Sequence, residues 1–122
     1  MSLSDRIWDI LEHMLEDAQD VVDFAKKAGS LEVFADDVML KKAIAMSLLN
    51  IGELANKLPF EYRSKYPEIP WKLIIGMRNA AAHGYHKLEV GTVWNATQVY
   101  VPQLITFLKQ QVQEMSEICK NN

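Results

Sequence analysis

The chain has 122 residues, 49% of them apolar and 24% charged, which fits one globular domain and excludes a disordered, collagen-like or low-complexity chain. No run approaches the roughly 20 apolar residues of a membrane span. The start Met1-Ser2-Leu3-Ser4-Asp5 lacks the basic patch and apolar core of a signal peptide, so the expected location is the cytoplasm. Cys119 is the only cysteine; no disulfide framework or cysteine metal site is available within the chain, and it reads as a buried or frayed thiol.

The net charge of −3 is unevenly spread. Residues 1–56 carry 11 acidic and 5 basic side chains, whereas residues 57–87 carry 2 acidic and 6 basic ones. Lys57, Arg63, Lys65, Lys72, Arg78 and Lys87 therefore form a locally basic segment that could face a polyanion, or could equally be solvated surface.

Helical periodicity runs through the chain. Ile7, Ile10, Leu11, Met14, Ala18, Val21, Ala25 and Ala28 recur at three- and four-residue spacing, predicting an amphipathic helix capped at Ser2 or Ser4 and ended by Gly29. Residues 30–35 read as a connector with room for a short helical turn. A second long helix is predicted from about Asp36 to Leu58, stopped by Pro59, with Val38, Leu40, Ile44, Leu48, Ile51, Leu54, Ala55 and Leu58 as its buried positions. Residues 60–70 hold two prolines and a polar run, which suits a loop with at most one helical turn. A third helix is predicted over 71–83, with Pro70 at its start and Gly84 at its C′ position. The fourth is expected to be capped by Thr92 and kinked by Pro102 or broken near Val101. No segment alternates as a strand does, so the expected fold is an all-α antiparallel four-helix bundle in one domain spanning 1–122, with an extra short helix allowed.

The chemistry-bearing segment is Arg78-Asn79-Ala80-Ala81-Ala82-His83-Gly84-Tyr85-His86. A planar guanidinium, an amide, two imidazoles and a phenol are groups that phosphate-ester chemistry uses. Asn79 and His83 are four apart and share a helix face, so the amide can hydrogen-bond the ring and fix its tautomer. Arg78 and His83 are five apart, about 140° around a helix, so their convergence requires a long side chain or an uncoiling helix end. The three alanines leave low relief on which another helix, or a second subunit, could sit. No paired carboxylates or His/Asp cluster at ligand spacing lies near the motif, so no metal or other cofactor is expected.

The stretch Ile69-Pro70-Trp71-Lys72-Leu73-Ile74-Ile75-Gly76-Met77-Arg78-Asn79 leading into His83-Gly84-Tyr85 resembles the HepT-like family of HEPN domains, as do Asn50-Ile51-Gly52-Glu53-Leu54-Ala55-Asn56 upstream and Val93-Trp94 downstream. The resemblance implies a homodimeric, metal-independent endoribonuclease, the toxin of a toxin–antitoxin pair whose partner is a minimal nucleotidyltransferase. It assigns Arg78 and His83 to catalysis, and Asn79, matching the polar residue after the arginine, is the third candidate catalytic residue. Tyr85 would be the tyrosine to which the partner transfers AMP. His86 and Lys87, just beyond the motif, are candidate substrate-binding residues. The alanine run departs from the bulkier aliphatic residues frequent in the family, which bears on packing and substrate fit. Cleavage would use the RNA 2′-OH as nucleophile.

Two other classes fit the same residues. A non-catalytic module could use Arg78 and His83 to bind RNA or a nucleotidyltransferase, and a structural adaptor could use them to satisfy helix ends. Trp71, Trp94 and Tyr100 fall at apolar helix positions and read as core, while Tyr62 and Tyr66 could touch RNA or pack. Glu53, if turned inward, would need a cation such as Arg78.

Overall fold

A computed structural model describes residues 1–84 and 88–121. The helices are α1 (Leu3–Ala28), α2 (Leu31–Asp36), α3 (Val38–Lys57), α4 (Phe60–Ser64), α5 (Trp71–Ala82), α6 (Val90–Gln98) and α7 (Tyr100–Lys120). Among the described residues there is no strand, and no helix is long and apolar enough to cross a membrane. The predicted all-α bundle is the observed architecture, with α2 and α4 as short extra helices.

Local chemistry explains the boundaries. The Ser2 hydroxyl accepts from the Asp5 N–H at 3.1 Å while the Asp5 carboxylate accepts from the Ser2 N–H at 3.3 Å, a reciprocal cap that starts α1. Gly29 ends it with φ +78°, a left-handed conformation that a side chain would strain. The Ser30 and Asp37 side chains cap α2 and α3 by accepting from Val33 and Leu40. Val38, predicted as buried, is the first residue of α3 and is exposed.

The last helical stretch departs from expectation twice. It begins at Val90, so Thr92 lies inside the first turn, and Glu89 stands at the cap position without a side-chain bond. It also breaks at Val99 (φ −112°, ψ −74°), two residues before the predicted point, dividing it into α6 and α7. Proline cannot donate to the carbonyl four residues back and its ring clashes there. The break makes Pro102 the third residue of α7, where a backbone N–H has no partner within the helix in any case.

Leu11, Met14, Ala18 and Val21 of α1 are fully buried between Ile44, Leu48 and Ile51 of α3 and Val101, Leu104 and Leu108 of α7. The other long contact joins α3 to α5, which adds Ile74 and Met77 to the same core. The bundle is thus layered α7, α1, α3, α5. The helix that carries Arg78 lies at one edge, leaving Lys72, Leu73, Gly76 and Asn79 exposed.

Candidate active site

Three attachments fix α5. At its start the Trp71 indole N–H donates to the Tyr66 carbonyl at 3.0 Å. The same Trp71 ring meets Phe107 edge-on at 5.9 Å between centroids, in a cluster that includes Tyr66 and Tyr62. In the middle α5 lies directly on Gly52 of α3. A Cβ at residue 52 would overlap the Arg78 Cβ and stand 2.9 Å from the Ile74 carbonyl oxygen, so the absence of a side chain at Gly52 sets how closely the two helices approach. Toward its end the buried Tyr100 hydroxyl donates to the Met77 sulfur, and burial raises the Tyr100 pKa to about 12.

Arg78 follows from those constraints. The base of its side chain rests against Gly52, and its guanidinium reaches the next residue of α3, with Nη2 3.3 Å from Glu53 Oε1. Nη1 donates to Asn79 Oδ1 at 3.0 Å. Arg78 is thereby paired with Glu53, but the carboxylate is turned to the surface rather than inward; the two side chains keep 39% and 46% of their exposure. At that exposure the pair contributes no more than about 1 kcal/mol to stability, so its consequence is orientation. Two acceptors hold the guanidinium through Nη1 and Nη2, and its remaining donors have no hydrogen-bond partner among the described residues.

His83 closes the helix at φ −84° and ψ −3°, still in helical conformation, and Gly84 follows at φ +125° as the predicted C′ glycine. The imidazole is exposed. Because α5 does not uncoil before His83, the Arg78 and His83 side chains leave the helix about 140° apart, and no hydrogen bond joins them. The expected Asn79 to His83 bond is likewise replaced: the Asn79 carbonyl oxygen, free to turn along the surface, is taken by the guanidinium. One chain therefore assembles Arg78, Asn79 and Glu53, with His83 one turn further on. Tyr85, His86 and Lys87 lie outside the described residues.

Other candidates take structural roles. Tyr62 is buried and its hydroxyl donates to Gln111 Oε1 at 2.7 Å, with burial raising its pKa well above the ordinary tyrosine value; it is core, not an RNA contact. Trp71 and Tyr100 are core as expected, and the half-buried Trp94 packs at 5.4 Å from Phe34. His13 is exposed on α1, where its ring bonds the Asp9 carbonyl at 2.8 Å, which raises its pKa. Cys119 is half-buried beside Asp5, and desolvation followed by that hydrogen bond raises its pKa. Of the basic segment, Lys57, Lys65 and Lys72 are exposed, and the half-buried Arg63 donates through Nε to the Leu58 carbonyl at 3.3 Å. Among the described residues, no three His, Cys, Asp or Glu side chains cluster as a metal site would.

Gly52 and its contact with Arg78 were not assigned from sequence. The available signal was a glycine in the interior of a strongly periodic helix, next to the carboxylate already suspected of pairing with Arg78.

Comparison with known proteins supplies the family. Residues 11–111 match the model of the family described as ribonuclease HepT-like. A protein named "Putative RNase" from Caldanaerobacter subterraneus is 34% identical over 85% of this chain and 92% of its own length. Another of that name from Methanocaldococcus jannaschii is 35% identical over 80% of this chain and 77% of its own. A protein named "Probable ribonuclease HepT" from Thermococcus cleftensis is 28% identical over 79% and 86% respectively. No solved structure gives a significant match. With most of its core and the whole of α5 inside the matched region, the chain belongs to the ribonuclease HepT-like family of HEPN domains.

Proposed function

We propose that the protein is a metal-independent endoribonuclease, the toxin of a toxin–antitoxin pair, acting as a homodimer. The observation that carries this reading is Arg78, held by Glu53 and Asn79 on the exposed edge of α5 with its remaining donors free for a phosphate, one turn before the exposed His83. In the reaction the 2′-oxygen attacks phosphorus and the bond to the 5′-oxygen breaks, leaving a 2′,3′-cyclic phosphate and a 5′-hydroxyl. An imidazole accepts the 2′-proton, a second proton reaches the departing 5′-oxygen, and Arg78 meets the charge that builds on the phosphoryl oxygens. Purified protein incubated with RNA should cut it equally in the presence and absence of EDTA. Activity that vanishes with EDTA and returns with magnesium would refute the mechanism.

The two proton transfers lie on opposite sides of phosphorus, and one His83 cannot readily serve both, which favours a second copy of the chain at the site. We assign that copy to a face of α3 on which Met39 (79% exposed), Met46 (59% exposed) and Glu53 recur every seven residues. That stripe ends at the carboxylate holding Arg78. Met46→Asp should convert a sedimenting dimer to a 14 kDa monomer and abolish cleavage while preserving the helical circular dichroism; an active, dimeric variant would exclude this face.

The partner in this proposal is a minimal nucleotidyltransferase that transfers AMP to Tyr85, next after the left-handed Gly84 that ends α5. Co-expression with an active partner should add the mass of one AMP to the peptide containing Tyr85, and an unchanged mass would point to inhibition by binding alone. His86 and Lys87 remain proposed contacts for the RNA beyond the cleaved phosphate.

A further inference from the structure

The exposed face of α5 bears a groove that the Arg78–His83 motif does not use. It has a volume of about 600 Å³, with Trp71, Ile75 and Gly76 of α5 as its floor and Phe60 and Arg63 of α4 as its far wall. It runs to Asn79, the residue that accepts from Arg78, about 12 Å along the helix from Trp71.

Three features of the groove bear on what it could hold, and the first two lack a structural reason. Gly76 stands in a helix interior, where glycine weakens the helix, yet an added Cβ would meet nothing within 4 Å. This is the opposite of Gly52, whose bareness the packing requires. Phe60 keeps 73% of its exposure at the first position of α4, a large apolar ring left in water at the mouth of the groove. Arg63 and Lys72 place two cations on its walls, with no acidic side chain among the described residues that line it. A bare apolar trough, an accessible aromatic face and flanking cations are together what an unpaired nucleotide needs: a ring for its base and positive charge for its phosphate. A second groove of about 700 Å³ lies across the same helix, but among the described residues that line it Lys72 is the only cation and Glu89 adds a carboxylate that would repel a phosphate, which favours the first.

We propose that the groove between α4 and α5 is a subsite for the unpaired nucleoside flanking the phosphate held by Arg78, its base on Phe60 and the bare floor at Gly76, its outer phosphate between Arg63 and Lys72. The assignment takes its ligand from the ribonuclease reading, and the test separates the two.

The probe is a fluorescent single-stranded oligoribonucleotide with every 2′-oxygen methylated, so that binding is read without cleavage, alongside the same sugar-phosphate backbone lacking bases. Phe60→Ala should weaken the base-bearing probe by about tenfold and leave the abasic one unchanged. Gly76→Leu should likewise weaken only the base-bearing probe, without lowering the melting temperature. Lys72→Gln should weaken both probes severalfold and flatten the salt dependence. Failure of the wild-type protein to bind the probe, or, in the Phe60 and Gly76 variants, unchanged affinity or equal losses on both probes, would overturn the subsite. A shift of those variants from dimer to monomer would overturn it too, making the groove a seat for a second copy. Wild-type protein that shows the predicted binding pattern but cuts no unmodified RNA would refute the ribonuclease reading and leave the subsite standing.

Discussion

Arg78→Ala and His83→Ala should each lower RNA cleavage by about a hundredfold or more while leaving the melting temperature within a few degrees of wild type. The separation of the two readouts follows from exposure. The Arg78 side chain is 39% exposed, its partners are two surface side chains, and His83 is exposed at the end of α5, so neither truncation opens a core cavity. The rate loss is large because a guanidinium aimed at phosphoryl oxygens stabilises charge that exists mainly in the transition state. Glu53→Gln keeps an acceptor for Nη2 and removes only charge, so it should cost severalfold rather than a hundredfold. Single-turnover cleavage and thermal denaturation on the same preparations check all three. A hundredfold loss of cleavage accompanied by a collapse in melting temperature would assign Arg78 to the scaffold instead.

Mixed dimers extend that test. If each site joins Arg78 of one chain to His83 of the other, pairing an Arg78→Ala chain with a His83→Ala chain leaves one intact site, and about half the activity survives. If a single central site needs both histidines, or each site lies within one chain, the heterodimer is nearly dead. The wide angle between Arg78 and His83 on α5 argues against a site within one chain, and the two proton transfers favour the shared central site. A nearly dead heterodimer is therefore expected, and recovery of half the activity would replace it with the crossed arrangement.

The fold was legible where periodicity and capping agree. The α1 stripe from Ile7 to Ala28, its Ser2 start and its Gly29 end are all local features, and each is present as predicted. The break at Val99 was harder to place because a proline's effect falls on the carbonyl four residues back, so the helix restarts ahead of Pro102 rather than bending at it. At the candidate site, the Arg78 to Glu53 pairing could be suspected because a carboxylate follows a helix-interior glycine. Its outward orientation could not, since that depends on the depth at which α5 lies on α3. Asn79 was misdirected for a related reason: helix spacing makes His83 a neighbour, but the adjacent guanidinium is a stronger donor and took the amide oxygen. Tyr62 shows the limit of composition, because a tyrosine in a polar run is buried by a partner, Gln111, that lies 49 residues away.

Gly52→Ala should damage catalysis more than stability, because the atoms in its way belong to Arg78. Replacing a helix-interior glycine by alanine ordinarily gains about 0.5–1 kcal/mol. Here the new methyl would overlap the Arg78 Cβ, lie 3.1 Å from its Cγ and stand 2.9 Å from the Ile74 carbonyl oxygen. A backbone oxygen cannot rotate aside, so α5 must lift from α3, and overpacking of that kind costs about 1–3 kcal/mol. The net loss of about 1–2 kcal/mol should lower the melting temperature by roughly 3–10 °C. The same displacement moves the guanidinium away from Glu53, and a misplacement near 1 Å can cost about a hundredfold in rate. Gly76→Ala is the internal comparison on stability, since its methyl meets nothing within 4 Å and should raise the melting temperature by a few degrees. Cleavage by Gly52→Ala within twofold of wild type would show that Arg78 does not depend on the α3–α5 contact for its position.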